Sequence, residues 1–226
     1  MNINKNTEKR PAYARTWQSV AAVERYAQSR YRHYDQRLIS WREQRIVDRF
    51  LKQITDGNHL LLDIPAGYGR FTPLFHKHAF KVISCDLNLY ALLYQRQCFP
   101  DNNLMIVTDG NRLPLPDNFA NVVFNFRLMQ HFQTSDQRVA LLKELTRVSN
   151  CYLIISVYLD SAFHRLIQVI SGRKRRMTMI SRIQWDTELL LCGLRVIQVR
   201  RPLRLLHAQN IFLLEKTQPC SAPIEK

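Results

Sequence analysis

The sequence predicts an α/β fold: a mostly parallel seven-stranded sheet with helices on both faces and an antiparallel strand near its C-terminal end. Three observations lead there. Short, almost wholly apolar runs recur along the middle of the chain; segments with helical apolar spacing separate them; and the last two apolar runs are joined by a link too short to hold a helix.

The elements follow in order. The chain opens on about 15 polar residues of the kind that are loosely held at termini. From Trp17 to Ile54 the pattern is helical: Trp41, Ile46, Val47, Phe50, Leu51 and Ile54 fall near 3.6-residue spacing, and Asp56-Gly57-Asn58 ends the run with turn chemistry. Residues 1–56 therefore read as an N-terminal helical extension or lid, 57–216 as the main domain and 217–226 as a flexible tail. His59–Ile64, Phe80–Cys85, Leu104–Thr108, Ala120–Phe126 and Tyr152–Val157 have the composition of strands buried on both faces. Between them Phe71–His78, Leu89–Cys98 and Ser135–Val148 carry helical spacing, which implies right-handed β-α-β units. Ser161–Ile170 has one apolar stripe, and Ser181 caps a helix through Trp185 to Leu191 that Gly193 ends. Leu194–Val199 and Leu206–Leu214 are then an antiparallel pair.

Composition bounds the function. The chain of 226 residues is long enough for one substantial core, and no apolar run approaches the ~18–20 residues of a membrane span. Its polar start lacks the apolar region of a signal peptide, and five dispersed cysteines with no C-x-x-C pair suggest reduced thiols and no metal centre. These features indicate a cytoplasmic protein. A net charge of +15 predicts attraction to polyanions, and the Arg165–Arg204 region concentrates it.

The candidate site lies where strands end. Asp63 closes the first strand, and Pro65-Ala66-Gly67-Tyr68-Gly69 forms the turn into the following helix. Glycine there permits positive φ and close approach of backbone to a ligand. The G-x-G-x-x-G spacing of a dinucleotide cradle is absent, and Pro65 removes a backbone donor, so a pyrophosphate is disfavoured. Asp86, 19 residues after Gly67, and the adjoining Leu87 end the second strand, where a carboxylate accepts from ribose hydroxyls. Asp109-Gly110-Asn111 ends the third strand and Asn125-Phe126-Arg127 the fourth. One polar cluster per strand end, on a single rim, describes a nucleotide-type site.

Residues 59–157 resemble the core of a class I S-adenosylmethionine-dependent methyltransferase, a Rossmann-like fold. Leu62-Asp63-Ile64-Pro65-Ala66-Gly67-Tyr68-Gly69 is similar to the family's h-D-h-G-x-G-x-G, with proline at the first glycine as in its D-h-P-C-G-x-G-R variant. LPLPDNFANVVFNFRLMQHF, residues 113–132, resembles the L-P-F-P-D-x-S-F-D-x-V segment of quinone-biosynthesis-type and related small-molecule enzymes, departing at Ala120-Asn121. The ending ISRIQWDTELLLCGLRVIQVRRPLRLL is similar to the family's helix-glycine-strand close.

The resemblance implies S-adenosyl-L-methionine as methyl donor, with Asp63, Pro65, Ala66, Gly67 and Gly69 around its methionyl part, Asp86 and Leu87 at the ribose and Asp109, Gly110 and Asn111 at the adenine. Asn125 and Arg127 complete the implied cofactor set, Arg127 facing either the cofactor's carboxylate or an anionic substrate. His131 is the candidate general base, against a plain packing role; Tyr31 and Tyr34 are lid candidates, against helix packing. No N-P-P-Y-type tetrapeptide follows the fourth strand, which disfavours methylation of nucleic-acid amino groups in that style. The expected acceptor is a small molecule, a lipid or a lipid-linked glycan. The basic region leaves two further partners open: an anionic membrane surface touched peripherally without insertion, or RNA, which would make the protein an RNA methyltransferase. A binding protein that keeps the fold without catalysis is the third alternative.

Overall fold

A computed structural model describes residues 17–54, 59–101, 104–160, 178–203 and 208–217. Seven strands form one sheet: β1 (Leu60–Asp63), β2 (Lys81–Asp86), β3 (Leu104–Val107), β4 (Ala120–Asn125), β5 (Ser149–Tyr158), β6 (Leu194–Arg200) and β7 (Gln209–Lys216). Their order is β3-β2-β1-β4-β5-β7-β6. Strands β1 to β5 pair in parallel, and β7 runs antiparallel to both β5 and β6. The chain reverses its progress across the sheet between β1 and β4, so a crevice opens beyond their carboxyl ends.

Six helices are described: α1 (Val20–Ser29), α2 (Tyr34–Ile54), α3 (Thr72–Lys77), α4 (Leu89–Cys98), α5 (Ser135–Val148) and α6 (Arg182–Leu191), with a single 3₁₀ turn at Met129–His131. The near-continuous apolar strands are explained by two cores. Leu61, Val122, Phe124, Ile154, Ile211 and Leu213 face Val47, Phe50 and Leu51 of α2 and Phe75 of α3. Their neighbours Leu62, Val123, Leu153, Ile155, Phe212 and Leu214 face Leu141, Leu145 and Val148 of α5 and Trp185 and Leu189 of α6. Alternate side chains of one strand thus enter opposite cores, and both faces must be apolar.

Several boundaries differ from the sequence reading. The helical stretch from Trp17 breaks after Arg30, because α1 packs on α4 whereas α2 turns its apolar stripe onto β5 and β7. The third strand is an edge strand whose Leu104 and Val107 are exposed, since only β2 covers it. The amphipathic stretch 161–170 and the basic run 173–176 lie outside the described residues. Cys85, Cys98 and Cys192 are free thiols, but Cys151 is disulfide-bonded, which corrects the expectation of uniformly reduced cysteines. Spacing along a chain does not reveal which thiols the fold brings together.

One ion pair ties α5 to α6. Arg138 and Glu188 are each 1% exposed. Arg138 donates from Nε to Glu188 Oε2 at 3.0 Å and from Nη2 to Oε1 at 2.5 Å, while Ser135 Oγ donates to the same Oε1 at 2.7 Å. Among the described residues no helix is long and apolar enough to cross a membrane.

Candidate active site

The loop after β1 is pinned before it turns. The Ile64 N–H donates to Phe124 O at 2.9 Å, Asn125 Nδ2 donates to Ile64 O at 2.7 Å, and the Ala66 N–H donates to Cys85 O at 2.8 Å. The Ile64–Pro65 peptide is cis. These bonds hold the loop across the ends of β4 and β2, its two flanking strands.

The two glycines of the turn do different work. Gly67 has φ +56° and open space where a Cβ would stand, and its N–H donates to Asp86 Oδ2 at 2.8 Å. It is a site glycine. Gly69 has φ +79°, and a Cβ there would meet Gln95 Cγ and Nε2 at 2.7 Å. Gln95 is itself buried and donates from Nε2 to Thr72 Oγ1 at 2.9 Å, so it has little freedom to yield. Gly69→Ala combines a left-handed backbone with overpacking and is expected to cost about 2 kcal/mol or more in urea unfolding.

Asp63 and Asp86 make the acidic end of the site. Both are buried, at 2% and 6% exposure, and both line a cavity of about 430 Å³. Burial pushes the Asp63 carboxyl well above the usual carboxylate range, and the neighbouring Asp86 charge adds to that. Burial raises Asp86 as well, opposed by the backbone N–H groups of Asn88, Gly67 and Leu87. Asp86 Oδ1 accepts from the Asn88 N–H at 2.8 Å and Oδ2 from the Gly67 N–H at 2.8 Å, with the Leu87 N–H also directed at the carboxylate, so its roughly four acceptor positions are not all taken. The carboxylate is thus fixed and still able to accept from a diol.

Aromatic groups from the N-terminal segment close over this end. Trp17 lies 5.0 Å from Tyr26 and 6.4 Å from Tyr68 between ring centroids, and Tyr26 lies 6.0 Å from Tyr68. Trp17 O accepts from Asn88 Nδ2 at 2.9 Å, which ties the segment to the end of β2.

A basic cluster makes the other end. Glu43 of α2, fully buried, accepts from Arg70 Nη2 and, at 2.6 Å, from Arg127 Nη2. Arg70 also donates to the Tyr31 hydroxyl, and its guanidinium lies 4.5 Å from the Phe71 ring, 5.0 Å from Tyr31 and 5.6 Å from Phe126. Burial works against the charge of Arg127, but Glu43 beside it outweighs that and keeps the guanidinium protonated.

The structure gathers part of the sequence-predicted set. Asp63, Pro65, Ala66, Gly67, Asp86, Arg127 and His131 line the cavity. His131, exposed at the rim in the 3₁₀ turn, has its pKa lowered by burial of the ring, so the imidazole is neutral near neutral pH. Asn125 is buried away from the lining and serves to tie β4 to Ile64. Gly69 is a packing residue. Asp109 is exposed and accepts from the Asn111 N–H at 3.0 Å, a turn bond; neither these two nor Gly110 and Leu87 line the cavity. Tyr31 reaches the cavity, whereas Tyr34 is 87% exposed. Sequence reasoning missed Trp17, Tyr26, Glu43, Tyr68, Arg70, Phe126 and Tyr158. Arg70 directly follows the glycine turn, and Tyr68 and Phe126 lie inside strand-end stretches that drew attention for their neighbours; the remaining four carry no local signal. Among the described residues no group of three or more His, Cys, Asp or Glu is placed to hold a metal ion.

Comparison with known proteins agrees with this architecture. Residues 62–151 match the model of the methyltransferase domain family. Magnesium protoporphyrin IX methyltransferase from Synechocystis PCC 6803, solved with bound SAH, superposes with a TM-score of 0.68 at 13% identity, covering 81% of this chain and 88% of that one. A SAM-dependent methyltransferase from Methanosarcina mazei gives 0.61 at 14% identity, covering 74% and 96%. The 4+2 cyclase SpnF gives 0.62 at 13% identity, covering 76% and 80%. At these identities the likeness is one of fold. No curated protein matches the chain in sequence. Residues 62–151 therefore match a methyltransferase domain, and the chain shares the fold of S-adenosylmethionine-dependent methyltransferases of known structure.

Proposed function

We propose that this protein transfers a methyl group from S-adenosyl-L-methionine to a small-molecule acceptor. The observation that carries the reading is the pair of buried carboxylates, Asp63 and Asp86, facing one cavity from the ends of adjacent strands across the Gly67 turn. Its residues fit the cofactor: Asp86 for the ribose diol, Asp63 for cationic groups, and Gly67 for close backbone approach. When bound, S-adenosylmethionine supplies a methyl group already activated on a sulfonium.

The chain's own residues then have three tasks. Asp63 and Asp86 bind and orient the donor. The N-terminal segment, through Trp17 and Tyr26, acts as a lid that excludes water and confines the acceptor, and such alignment can contribute several kcal/mol to rate. His131, neutral near neutral pH, accepts the proton of a hydroxyl acceptor. The cavity, roofed by side chains of the same chain, suits a small acceptor better than a polymer. The described part of the basic region is largely engaged within the fold: Arg182 pairs with Asp186, Arg195 with Glu215, and Arg201 donates to Asn210 Oδ1 at 2.7 Å.

The raised carboxylates predict the pH dependence of donor binding. A cationic ligand favours the ionised forms and lowers their pKa, so binding releases protons. Affinity for S-adenosylmethionine is expected to rise with pH above the ordinary carboxylate range, then level off once Asp63 is ionised in the empty site. Calorimetry in buffers of different ionisation enthalpy reads the proton release directly.

The function itself is tested with methyl-labelled S-adenosylmethionine and a cell extract split into small-molecule, lipid and RNA fractions. Label entering a low-mass product supports the proposal. Label entering RNA alone, or none transferred while the donor binds, contradicts it.

A further inference from the structure

The buried cluster of Glu43, Arg70 and Arg127 supplies a positive charge to the same cavity that Asp63 and Asp86 line. Two guanidiniums share one carboxylate, with side-chain exposures of 12% for Arg70, 20% for Arg127 and 0% for Glu43. Arg70 has its terminal nitrogens on Glu43 and Tyr31 and sits among three aromatic rings. One net positive charge thus remains on the cluster, in an aromatic-walled part of the cavity. An excess charge in such a place is costly to keep without a counter-ion.

The placement of Arg127 is also over-determined. Its backbone is left-handed at φ +59°, and its N–H donates to Ser156 Oγ at 2.7 Å. For a non-glycine residue that conformation costs about 1–2 kcal/mol, and such outliers persist where the surroundings fix them for a purpose. Nε of both arginines is buried without a hydrogen-bond partner among the described residues, so neither guanidinium has spent all its donors.

Position separates this charge from the donor's acidic end. Arg127 leaves β4 and is anchored on β5 by Ser156, with Glu43 as its ion-pair partner. Asp86 ends β2. With the order β2-β1-β4, the strand ends that carry Asp86 and Arg127 are two strand spacings apart, roughly 10 Å across the sheet.

We infer that Arg127, held in place by Glu43, Arg70 and Tyr31, is a receptor for a carboxylate on the methyl acceptor, and that the acceptor is an organic acid with an apolar or aromatic body. The inference rests on the methyl-transfer reading above. The same chemistry would also suit the carboxylate of the donor, and the test separates the two sources.

The protein saturated with S-adenosylhomocysteine is titrated with 2-naphthoate and with its neutral counterpart 2-naphthamide. Naphthoate is expected to bind at least tenfold more tightly. Arg127→Met is expected to abolish that preference while S-adenosylhomocysteine affinity stays within about threefold, which also shows that the variant is folded. Arg127→Lys, which keeps the charge, is expected to retain part of the preference. Equal binding of the two probes to the wild type overturns the inference. So does an Arg127→Met variant that loses S-adenosylhomocysteine but keeps 5′-methylthioadenosine, which lacks the carboxylate: the arginine then serves the donor. If wild type fails to bind S-adenosylhomocysteine at all, the methyl-transfer reading itself has failed, a result distinct from either.

Discussion

Replacing Glu188 by alanine is expected to destabilise the protein by about 3–5 kcal/mol, because it strands the Arg138 guanidinium in the core without a counter-charge. Arg138 is 1% exposed and directs Nε and Nη2 at Glu188, leaving only Nη1 on the Phe132 carbonyl at 3.2 Å. The double substitution Arg138→Met with Glu188→Leu is expected to recover most of the loss, since an apolar pair of similar volume removes the desolvation penalty together with the attraction. Urea unfolding of the three variants measures both effects. A loss below about 1 kcal/mol for Glu188→Ala would mean that α5 and α6 are not locked in the arrangement described, because exposed pairs give values of that size.

Asp86→Ala is expected to weaken binding of S-adenosylhomocysteine by at least about 100-fold. Each hydrogen bond to a charged acceptor is worth about 1.5–3 kcal/mol, and the ribose diol offers two. The substitution has a second consequence. Asp86 also accepts from the Gly67 and Asn88 N–H groups, so its loss frees the glycine turn and the start of α4. Asp86→Asn separates the two contributions: its amide oxygen still accepts from one backbone group, so the turn is better preserved while the charge is gone. Its affinity is expected to fall between wild type and alanine. Direct titration measures all three. An Asp86→Ala affinity within threefold of wild type would remove Asp86 from the site.

How much of this was legible in the sequence depends on whether a signal is local. The strands were legible because both of their faces are buried, so Leu60–Leu62 and Val122–Phe124 are short unbroken apolar runs. The antiparallel β7 followed from a link too short for a crossover. Asp63, Gly67 and Asp86 were legible because strand-end position alone places a residue on the rim of the crevice. Position did not say which rim residues face inward. Asp109 and Asn111 end β3 at the sheet edge and bond to each other across an exposed turn, and Asn125 turns its amide to the Ile64 carbonyl.

The basic end was the least legible. Glu43 sits in WREQRIVDR, a stretch whose charges look solvated, and nothing local marks it as the fully buried member. Its partners are 27 and 84 residues away, and only the packing of α2 across the sheet brings them together. Arg70 directly follows the turn, but nothing in the sequence marks it as enclosed by Tyr31, Phe71 and Phe126, since one of those rings comes from the N-terminal segment and another from β4's end.

The most direct test of the central claim is calorimetric titration of the purified wild-type protein with S-adenosylhomocysteine, with NADH as the control. The account predicts one site of micromolar affinity for S-adenosylhomocysteine and no heat from NADH, because Asp86 suits the ribose diol and Asp63 the ammonium group of an amino-acid nucleoside, and the Pro65 turn offers no pyrophosphate cradle. Absence of S-adenosylhomocysteine binding, or tighter binding of NADH, would contradict it.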